Sequence, residues 1–136
     1  MDRPSLLRLL HAHAARDLVS TERVALAEIL RFVEAEPRCA ERSLAVGHLT
    51  GSAWIVDPSR TRTLLTHHRK LGKWLQLGGH ADGDLDLAAV ALREAHEESG
   101  LTRLRPVGAA LFDVDRHWIP ERKSEPGHWH HDLRFV

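Results

Sequence analysis

The chain has almost no cysteine, no net charge and no long apolar segment, and each absence excludes a class of protein. Cys39 is the single cysteine among 136 residues, which excludes an internal disulfide and a zinc site built from several cysteines. Nineteen Lys and Arg balance 19 Asp and Glu, so no overall positive field attracts a nucleic acid polymer. No apolar run approaches the roughly 20 residues that cross a bilayer, and residues 1–10 lack the features of a signal peptide. We expect a cytoplasmic protein with neither a nucleic acid nor a membrane partner.

The composition that remains, 43% hydrophobic and 28% charged, is typical of one globular domain. Residues 1–40 have a helical pattern that includes a second helix with Ser20 or Thr21 as its cap and Pro37 at its end. The apolar residues of that helix recur at i, i+3, i+4 and i+7, which predicts one packed face: Leu26, Ile29, Leu30 and Val33.

The sequence after residue 40 predicts strands. Short β-rich runs predict a buried strand at residues 53–56, a turn at 57–59, a return strand at 63–67 and another strand at 107–115. Alternating residues predict a last strand at 129–135. Between the strands we expect a basic loop at residues 69–73, a glycine-rich bend at 78–84 and a polar loop at 121–127.

A helix with Asp86 as its N-cap and Gly100 after its last residue, Ser99, carries the residues with chemistry. Glu94, Glu97 and Glu98 lie at i, i+3 and i+4, so their carboxylates share one face. Such a spacing alone is most often a solvated acidic face. An upstream glycine turn and an adjacent arginine, Arg93, placed at i, i+4 from Glu97 and able to hold a carboxylate bidentately, favour instead a site for a hard cation such as Mg²⁺.

Residues 79–101 resemble the Nudix box, the 23-residue signature of Nudix hydrolases. Seven positions match in register: Gly79, Arg93, Glu94, Glu97, Glu98, Gly100 and Leu101. Ala95 occupies an aliphatic position of the box. The box has its first glutamate at position 85, where this chain has Leu85, flanked by Asp84 and Asp86.

The resemblance implies hydrolysis of a nucleoside diphosphate linked to another moiety, with Mg²⁺ or Mn²⁺ as cofactor. It also implies that Glu94, Glu97, Glu98 and the Gly78 carbonyl hold the metal, and that Arg93 orients a glutamate. Glu94 or Glu98 is the expected general base. With Leu85 in place of an acid, we expect impaired or altered catalysis before outright inactivity.

The fold implied by the resemblance is α+β, a Nudix-type α/β/α sandwich with a mixed sheet. Residues 1–40 would be an N-terminal helical extension of the same unit, and residues 41–136 the Nudix domain. Nudix folds usually continue with a further strand and a helix that covers the sheet, so two expectations stay open: a domain incomplete at its C-terminus, or a sheet face that a partner chain covers or that is exposed. Whether the N-terminal helices cover the sheet, form a homodimer or gate the substrate stays open.

Four residues are expected to contact a small nucleotide substrate. His80 follows the double glycine, Arg69 lies in the basic loop, Trp74 can stack on a base and His130 lies on the last strand. The group His128, His130, His131 and Asp132 also suggests zinc, but His131 points to the opposite strand face and no outside ligand is evident. We therefore favour a substrate-facing role, since residues 125–135 resemble a segment of some uncharacterised bacterial Nudix proteins.

Two other functions compete with hydrolysis. A Nudix-fold binding or regulatory domain with weak or no turnover would explain Leu85. An isoprenoid diphosphate isomerase shares the fold, but that family has Cys-Gly-His where this chain has Gly78, Gly79 and His80. The missing cysteine and the intact Arg-Glu…Glu-Glu run argue against the isomerase.

Overall fold

A computed structural model describes residues 1–69, 72–122 and 125–136. Within these residues the chain forms three helices and eight strands: α1 (Arg3–Ala14), α2 (Ser20–Ala35), β1 (Gly47–Ala53), β2 (Ile55–Val56), β3 (Thr63–Leu64), β4 (Thr66–His68), β5 (Lys73–Leu75), β6 (Leu77–His80), α3 (Leu87–Ser99), β7 (Asp113–Ile119) and β8 (His128–Phe135). None of these helices combines the length and the apolar character needed to cross a membrane.

The two N-terminal helices form as the sequence predicts, apart from one cap. Asp2 caps α1 by accepting a hydrogen bond from the Ser5 N–H at 2.9 Å. The predicted cap of α2 at Ser20 or Thr21 is wrong, because Val19 is the N-cap and no side chain caps the helix. The predicted apolar face is buried at Leu26, Ile29 and Val33, and α2 ends at Ala35, before Pro37.

Four strands form one mixed sheet in the order β6-β1-β8-β7. The neighbours β1 and β8 are parallel, whereas β1–β6 and β7–β8 are antiparallel. The short strands pair separately, β2 with β3 and β4 with β5. This mixed sheet, with two helices before it and one between its strands, confirms the predicted α+β class.

One face of the sheet packs against the helices. Leu49 and Leu133 share a core cluster with Ile29 of α2 and Val90 of α3. Gly51 lets α3 approach the sheet, since a Cβ there would lie 2.8 Å from the Leu87 carbonyl oxygen. The helices therefore cover the face to which these residues point.

The opposite face of the sheet is polar. Because side chains alternate along a strand, the register places eleven polar residues on it: His48, Thr50 and Ser52 of β1, His80 of β6, His128, His130, Asp132 and Arg134 of β8, and Asp113, Asp115 and His117 of β7. In the described part of the chain, no helix packs on this face.

Three strand predictions need correction. The buried strand is not residues 53–56 but Gly47–Gly51 of β1, and residues 53–56 are only half-buried. The return strand expected at residues 63–67 is divided into β3 and β4. The strand expected at 107–115 is β7, Asp113–Ile119. Tertiary position decides burial here, because polar and glycine-rich segments occupy the sheet while the more β-prone runs lie at its margin.

The glycine-rich segment also differs from its prediction. Gly78 and Gly79 belong to β6, where they pair with Ser52 and Gly51, so the bend covers only the residues after His80. The basic loop at 69–73 and the polar loop at 121–127 include Lys70, Leu71, Lys123 and Ser124, which lie outside the described residues.

The helix that carries the glutamates has the predicted boundaries. The Asp86 side chain accepts a hydrogen bond from the Ala89 N–H at 3.2 Å. Gly100 ends α3 in the left-handed conformation with φ of 70°, and its N–H donates to the His96 carbonyl. Local capping chemistry thus determines both ends of α3.

Candidate active site

Two glycines of β6 lie close to two carboxylates of α3. The Gly78 N–H donates a hydrogen bond to Glu98 Oε2 at 3.2 Å. Gly79 faces Glu94 so closely that a Cβ at residue 79 would lie 2.5 Å from the Glu94 carboxyl carbon. A side chain at residue 79 would therefore force the Glu94 carboxyl group to move. The strand and the helix together bring Glu94 and Glu98 to one edge of the sheet.

The carboxylates of this edge influence one another. The pKa of Glu98 is raised, first because burial removes water from its carboxyl group and then because Glu94 and Glu97 add negative charge. The Gly78 N–H and the charge of His68 act in the opposite direction. A cation would relieve the repulsion among the three glutamates.

Arg93 forms its ion pair with the neighbouring Glu94, not with Glu97 at i+4. Arg93 Nη2 lies 3.4 Å from Glu94 Oε1, and this is a single contact instead of a bidentate one. Glu94 is therefore held between Arg93 and the Gly79 backbone.

At position 85, where the Nudix box has its first glutamate, this chain has a leucine that contributes to core packing. Leu85 is partly buried against the hydrophobic core. Its acidic neighbours serve the start of α3: Asp84 accepts from the Asp86 N–H at 2.8 Å, and Asp86 accepts from the Ala89 N–H. Both side chains therefore support the local turn.

The β4–β5 hairpin carries two of the expected substrate residues. Trp74 is 66% exposed, and its ring lies 5.0 Å from the His67 ring. Arg69 is exposed just after β4. His68, also on β4, contributes to the pKa of Glu98. This hairpin therefore lies within electrostatic range of the carboxylates.

The other two expected substrate residues, His80 and His130, lie in a separate histidine cluster on the polar face. The rings of His80 and His130 are 5.2 Å apart, and His48 lies 5.0 Å from His80 and 4.9 Å from His130. His128 and His117 complete the cluster, 5.1 and 5.4 Å from His130. Its members come from all four strands of the sheet.

His48, the most buried member of this cluster at 2% exposure, is not among the residues predicted from the sequence. No local sequence signal marks it, because only the parallel register of β1 and β8 sets His48 beside His130. His131 points to the other face, as predicted, and stacks on Phe32 at 4.1 Å.

Burial favours the neutral form of three imidazoles in the cluster, those of His48, His80 and His130. The pKa of His48 is lowered to about 4 by burial and then by the neighbouring His80 and His128. Burial and then His48 and His80 lower the pKa of His130 to about 3. Burial also lowers the pKa of His80.

Asp132 is fully engaged within the polar face. Its carboxylate accepts hydrogen bonds from the hydroxyls of Thr50 and Ser52, both at 2.8 Å, and from Arg134 Nε at 2.9 Å. Arg134 also contacts Asp113 at 3.1 Å and Asp115 at 3.0 Å. Its pKa is raised by these three carboxylates, although burial opposes the shift.

Two other features of the chain lie away from the carboxylates. An open groove of about 980 Å³ between α3, β2 and β3 has lining residues that include Trp54, Leu92, Leu104 and Phe135, but none of the box glutamates. Cys39 is completely buried, and burial raises the pKa of its thiol. Burial therefore disfavours the thiolate form of Cys39.

The comparisons with known proteins identify the family. Residues 48–135 match the model of the NUDIX domain, which is more than half of the chain, and the chain therefore belongs to the NUDIX family. The matched segment begins in β1 and ends with β8, so it contains α3 and the four-stranded sheet except for Gly47. The match supports a Nudix hydrolase in general. A search of curated proteins gave no match.

Proposed function

We propose that the protein is a metal-dependent Nudix pyrophosphohydrolase that cleaves the diphosphate linkage of a nucleoside diphosphate joined to another moiety. The observation that carries this proposal is the convergence of Glu94 and Glu98 on Gly79 and Gly78. Because Gly78 and Gly79 have no side chains, the space beside the carboxylates of α3 has room for phosphate oxygens.

The donor set of this edge fits a hard divalent cation. Glu94, Glu97, Glu98 and the Gly78 carbonyl would hold Mg²⁺ or Mn²⁺, since both ions prefer oxygen ligands. The glutamates themselves are not gathered into one tight ligand set, which suits Mg²⁺ because it usually takes one or two carboxylates and completes its shell with water and phosphate. When bound, such an ion would supply charge stabilisation for the diphosphate and would lower the pKa of a water molecule.

The remaining chemistry belongs to the side chains of α3. Glu94 and Glu98 are the candidates for the general base that takes the proton of the attacking water. Arg93 holds the Glu94 carboxylate and so orients it. Leu85 supplies core packing in place of an acid, so we propose slower turnover than a complete box would support.

Substrate contacts are proposed on both sides of β6. Trp74 would stack on the base, and Arg69 would contact a phosphate near the carboxylates. His80 and His130 would contact the substrate from the polar face. The proximity of the β4–β5 hairpin to Glu98 supports the first pair, and the shared cluster supports the second.

We also propose that the N-terminal helices are part of the same unit as the domain of residues 41–136. Arg16 Nη1 donates to the Leu111 carbonyl at 2.8 Å, and Phe32 stacks on His131. Leu6 and Leu10 of α1 are buried in the same core cluster as Leu133. These contacts make the helices a cover for the sheet.

The test is a panel of nucleoside diphosphate derivatives with Mg²⁺ or Mn²⁺, followed by separation of the products. The wild type should release a nucleoside monophosphate, and Glu98→Gln should not. Glu34→Gln is the matched control, because Glu34 is an exposed glutamate on α2. Equal rates for Glu98→Gln and wild type would contradict the proposal.

A binding or regulatory domain is the second candidate, and Leu85 in the core is the observation that favours it. Its signature would be nucleotide binding with no product in the same panel. An isoprenoid diphosphate isomerase would convert its substrate without release of phosphate.

A further inference from the structure

His48 has an unusual position for a polar side chain. It is 2% exposed, yet neither Nδ1 nor Nε2 has a hydrogen-bond partner among the described residues. A buried imidazole without a partner has given up its hydrogen bonds to water without replacing them, which is unfavourable. Its ring is within 5.0 Å of the rings of His80, His128 and His130.

His128 is oriented by the backbone so that one nitrogen faces the cluster. Its Nδ1 lies 2.9 Å from the Pro126 carbonyl oxygen, to which only a protonated nitrogen can donate. The proton is therefore on Nδ1, and Nε2 of the neutral ring carries a lone pair that faces His130 Nε2 at 3.2 Å. A histidine that donates its other N–H to a backbone carbonyl is the usual arrangement of a metal ligand.

The third member completes a ligand set. His130 Nε2 is 3.2 Å from His128 Nε2, close to the roughly 3.3 Å between ligand nitrogens of a tetrahedral ion with 2.0–2.1 Å bonds. One nitrogen of each of His48, His128 and His130 lies within 4.8 Å of the others. Among residues 1–69, 72–122 and 125–136, this is the one group of three metal-binding side chains so close together.

We propose that His48, His128 and His130 bind a divalent transition metal ion of the Zn²⁺ class, at a site separate from the box carboxylates. Three imidazole ligands select Zn²⁺, Co²⁺ or Cu²⁺ over Mg²⁺, which prefers oxygen. The ion would give His48 the partner that it lacks. This site goes beyond the proposed hydrolysis and does not depend on it, but it makes His130 a metal ligand in place of the direct substrate contact proposed above.

The neighbours of the three histidines fit this assignment. Asp132, the nearest carboxylate in the sequence, is held by Thr50, Ser52 and Arg134 and is not available as a ligand. His80 is adjacent, 5.0 Å from His48 between ring centroids. With three ligands from the protein, the fourth position stays open to water or another small ligand, as in zinc sites that exchange ligands.

Strand β6 separates the two sites. Gly79 faces Glu94 on the side of α3, whereas His80 faces His48 on the polar side. Adjacent residues of a strand point to opposite faces. The carboxylates and the imidazoles therefore offer different ligand chemistry on the two sides of one strand.

The proposal is tested by titrating the metal-free full chain with Co²⁺ in the presence of excess Mg²⁺, and following visible absorption. We expect one equivalent of Co²⁺ to produce intense d–d bands of a low-coordinate site, and Zn²⁺ to displace it. His48→Gln and His130→Gln should each weaken binding at least about 100-fold, since loss of even an outer-shell partner costs 10–100-fold. His11→Gln, at an exposed histidine of α1, should not.

The variant Glu98→Gln distinguishes a failure of this metal site from a failure of the proposed hydrolytic site. The cobalt spectrum should be unchanged in Glu98→Gln even where hydrolysis is lost. A spectrum abolished by Glu98→Gln and retained in His48→Gln would overturn the proposal, as would wild type without any such spectrum.

A measurement on the wild type covers the case in which the histidine variants do not fold. X-ray absorption of the protein with one equivalent of Zn²⁺ should show three imidazole ligands. A shell of oxygen ligands alone would mean that the histidines form only a neutral hydrogen-bonded cluster.

Discussion

The carboxylates of α3 and the histidines of the sheet lie on opposite sides of β6, and they are assembled in opposite ways. Glu94, Glu97 and Glu98 are within five residues of one another, so helix geometry alone brings them together. The five histidines come from four strands and meet only through the register of the sheet. A local site can thus be recognised in a sequence, whereas a site built across strands depends on the fold.

The largest expected effect is on the rate of hydrolysis, and it concerns the carboxylate side of β6. Glu98→Gln should lower kcat by about 10²–10⁴-fold, the usual loss when a general base is removed. Rates of nucleoside monophosphate release with Mg²⁺ measure this, with Glu34→Gln as control. A kcat within threefold of wild type would remove Glu98 from the catalytic residues.

The polar face should be more important for stability than the carboxylates of α3. Asp132→Ala removes the acceptor of Thr50, Ser52 and Arg134, and we expect a loss of about 3 kcal/mol, the lower end for a broken buried ion pair because Arg134 keeps two other carboxylates. Urea denaturation gives the free energy of unfolding. The exposed Asp17 provides the control, since Asp17→Ala should change it by less than about 0.5 kcal/mol. Equal effects of the two substitutions would refute this network.

The close approach of β6 to α3 is tested by Gly79→Ala. The added Cβ would meet the Glu94 carboxyl group at 2.5 Å and displace it. A shift of about 1 Å in a catalytic group costs about 10²-fold in rate. The control is Gly108→Ala, because a Cβ at residue 108 meets nothing within 4 Å. Comparable activity of both variants would show that Glu94 is not positioned by Gly79.

The smallest expected effect concerns the start of α3. Asp86→Ala removes the N-cap hydrogen bond to Ala89 and should destabilise the protein by about 1 kcal/mol. Asp86→Asn keeps an acceptor and should stay close to wild type in thermal unfolding. If both substitutions destabilise equally, the charge of Asp86 and not its capping geometry is what stabilises the helix.

The part of the fold that the sequence predicts is the part with local signals. Asp86 and Gly100 define α3, and the apolar spacing of Leu26, Ile29 and Val33 defines the buried face of α2. Alternation in β8 also predicts its strand, which spans His128–Phe135. In each case neighbouring residues carry the information.

The sheet centre could not be predicted in this way. Strand β1 contains two glycines, a histidine and hydroxyl side chains, which have little intrinsic β-propensity as a group. Strand β7 contains Asp113 and Asp115, whose charges are compensated by Arg134 from the adjacent strand. His48 could not be recognised in the sequence for the same reason. Its position beside His130 depends on pairing with a strand about 80 residues away in the chain.

The most direct measurement is a count of Mn²⁺ bound to the wild type, followed by electron paramagnetic resonance before and after addition of one equivalent of Zn²⁺. If the carboxylates and the histidines are two sites on either side of β6, Zn²⁺ should leave the bound Mn²⁺ unchanged, and Glu98→Gln should remove it. Release of one Mn²⁺ for each Zn²⁺ added would contradict the account, because it would mean that both ions compete for a single site.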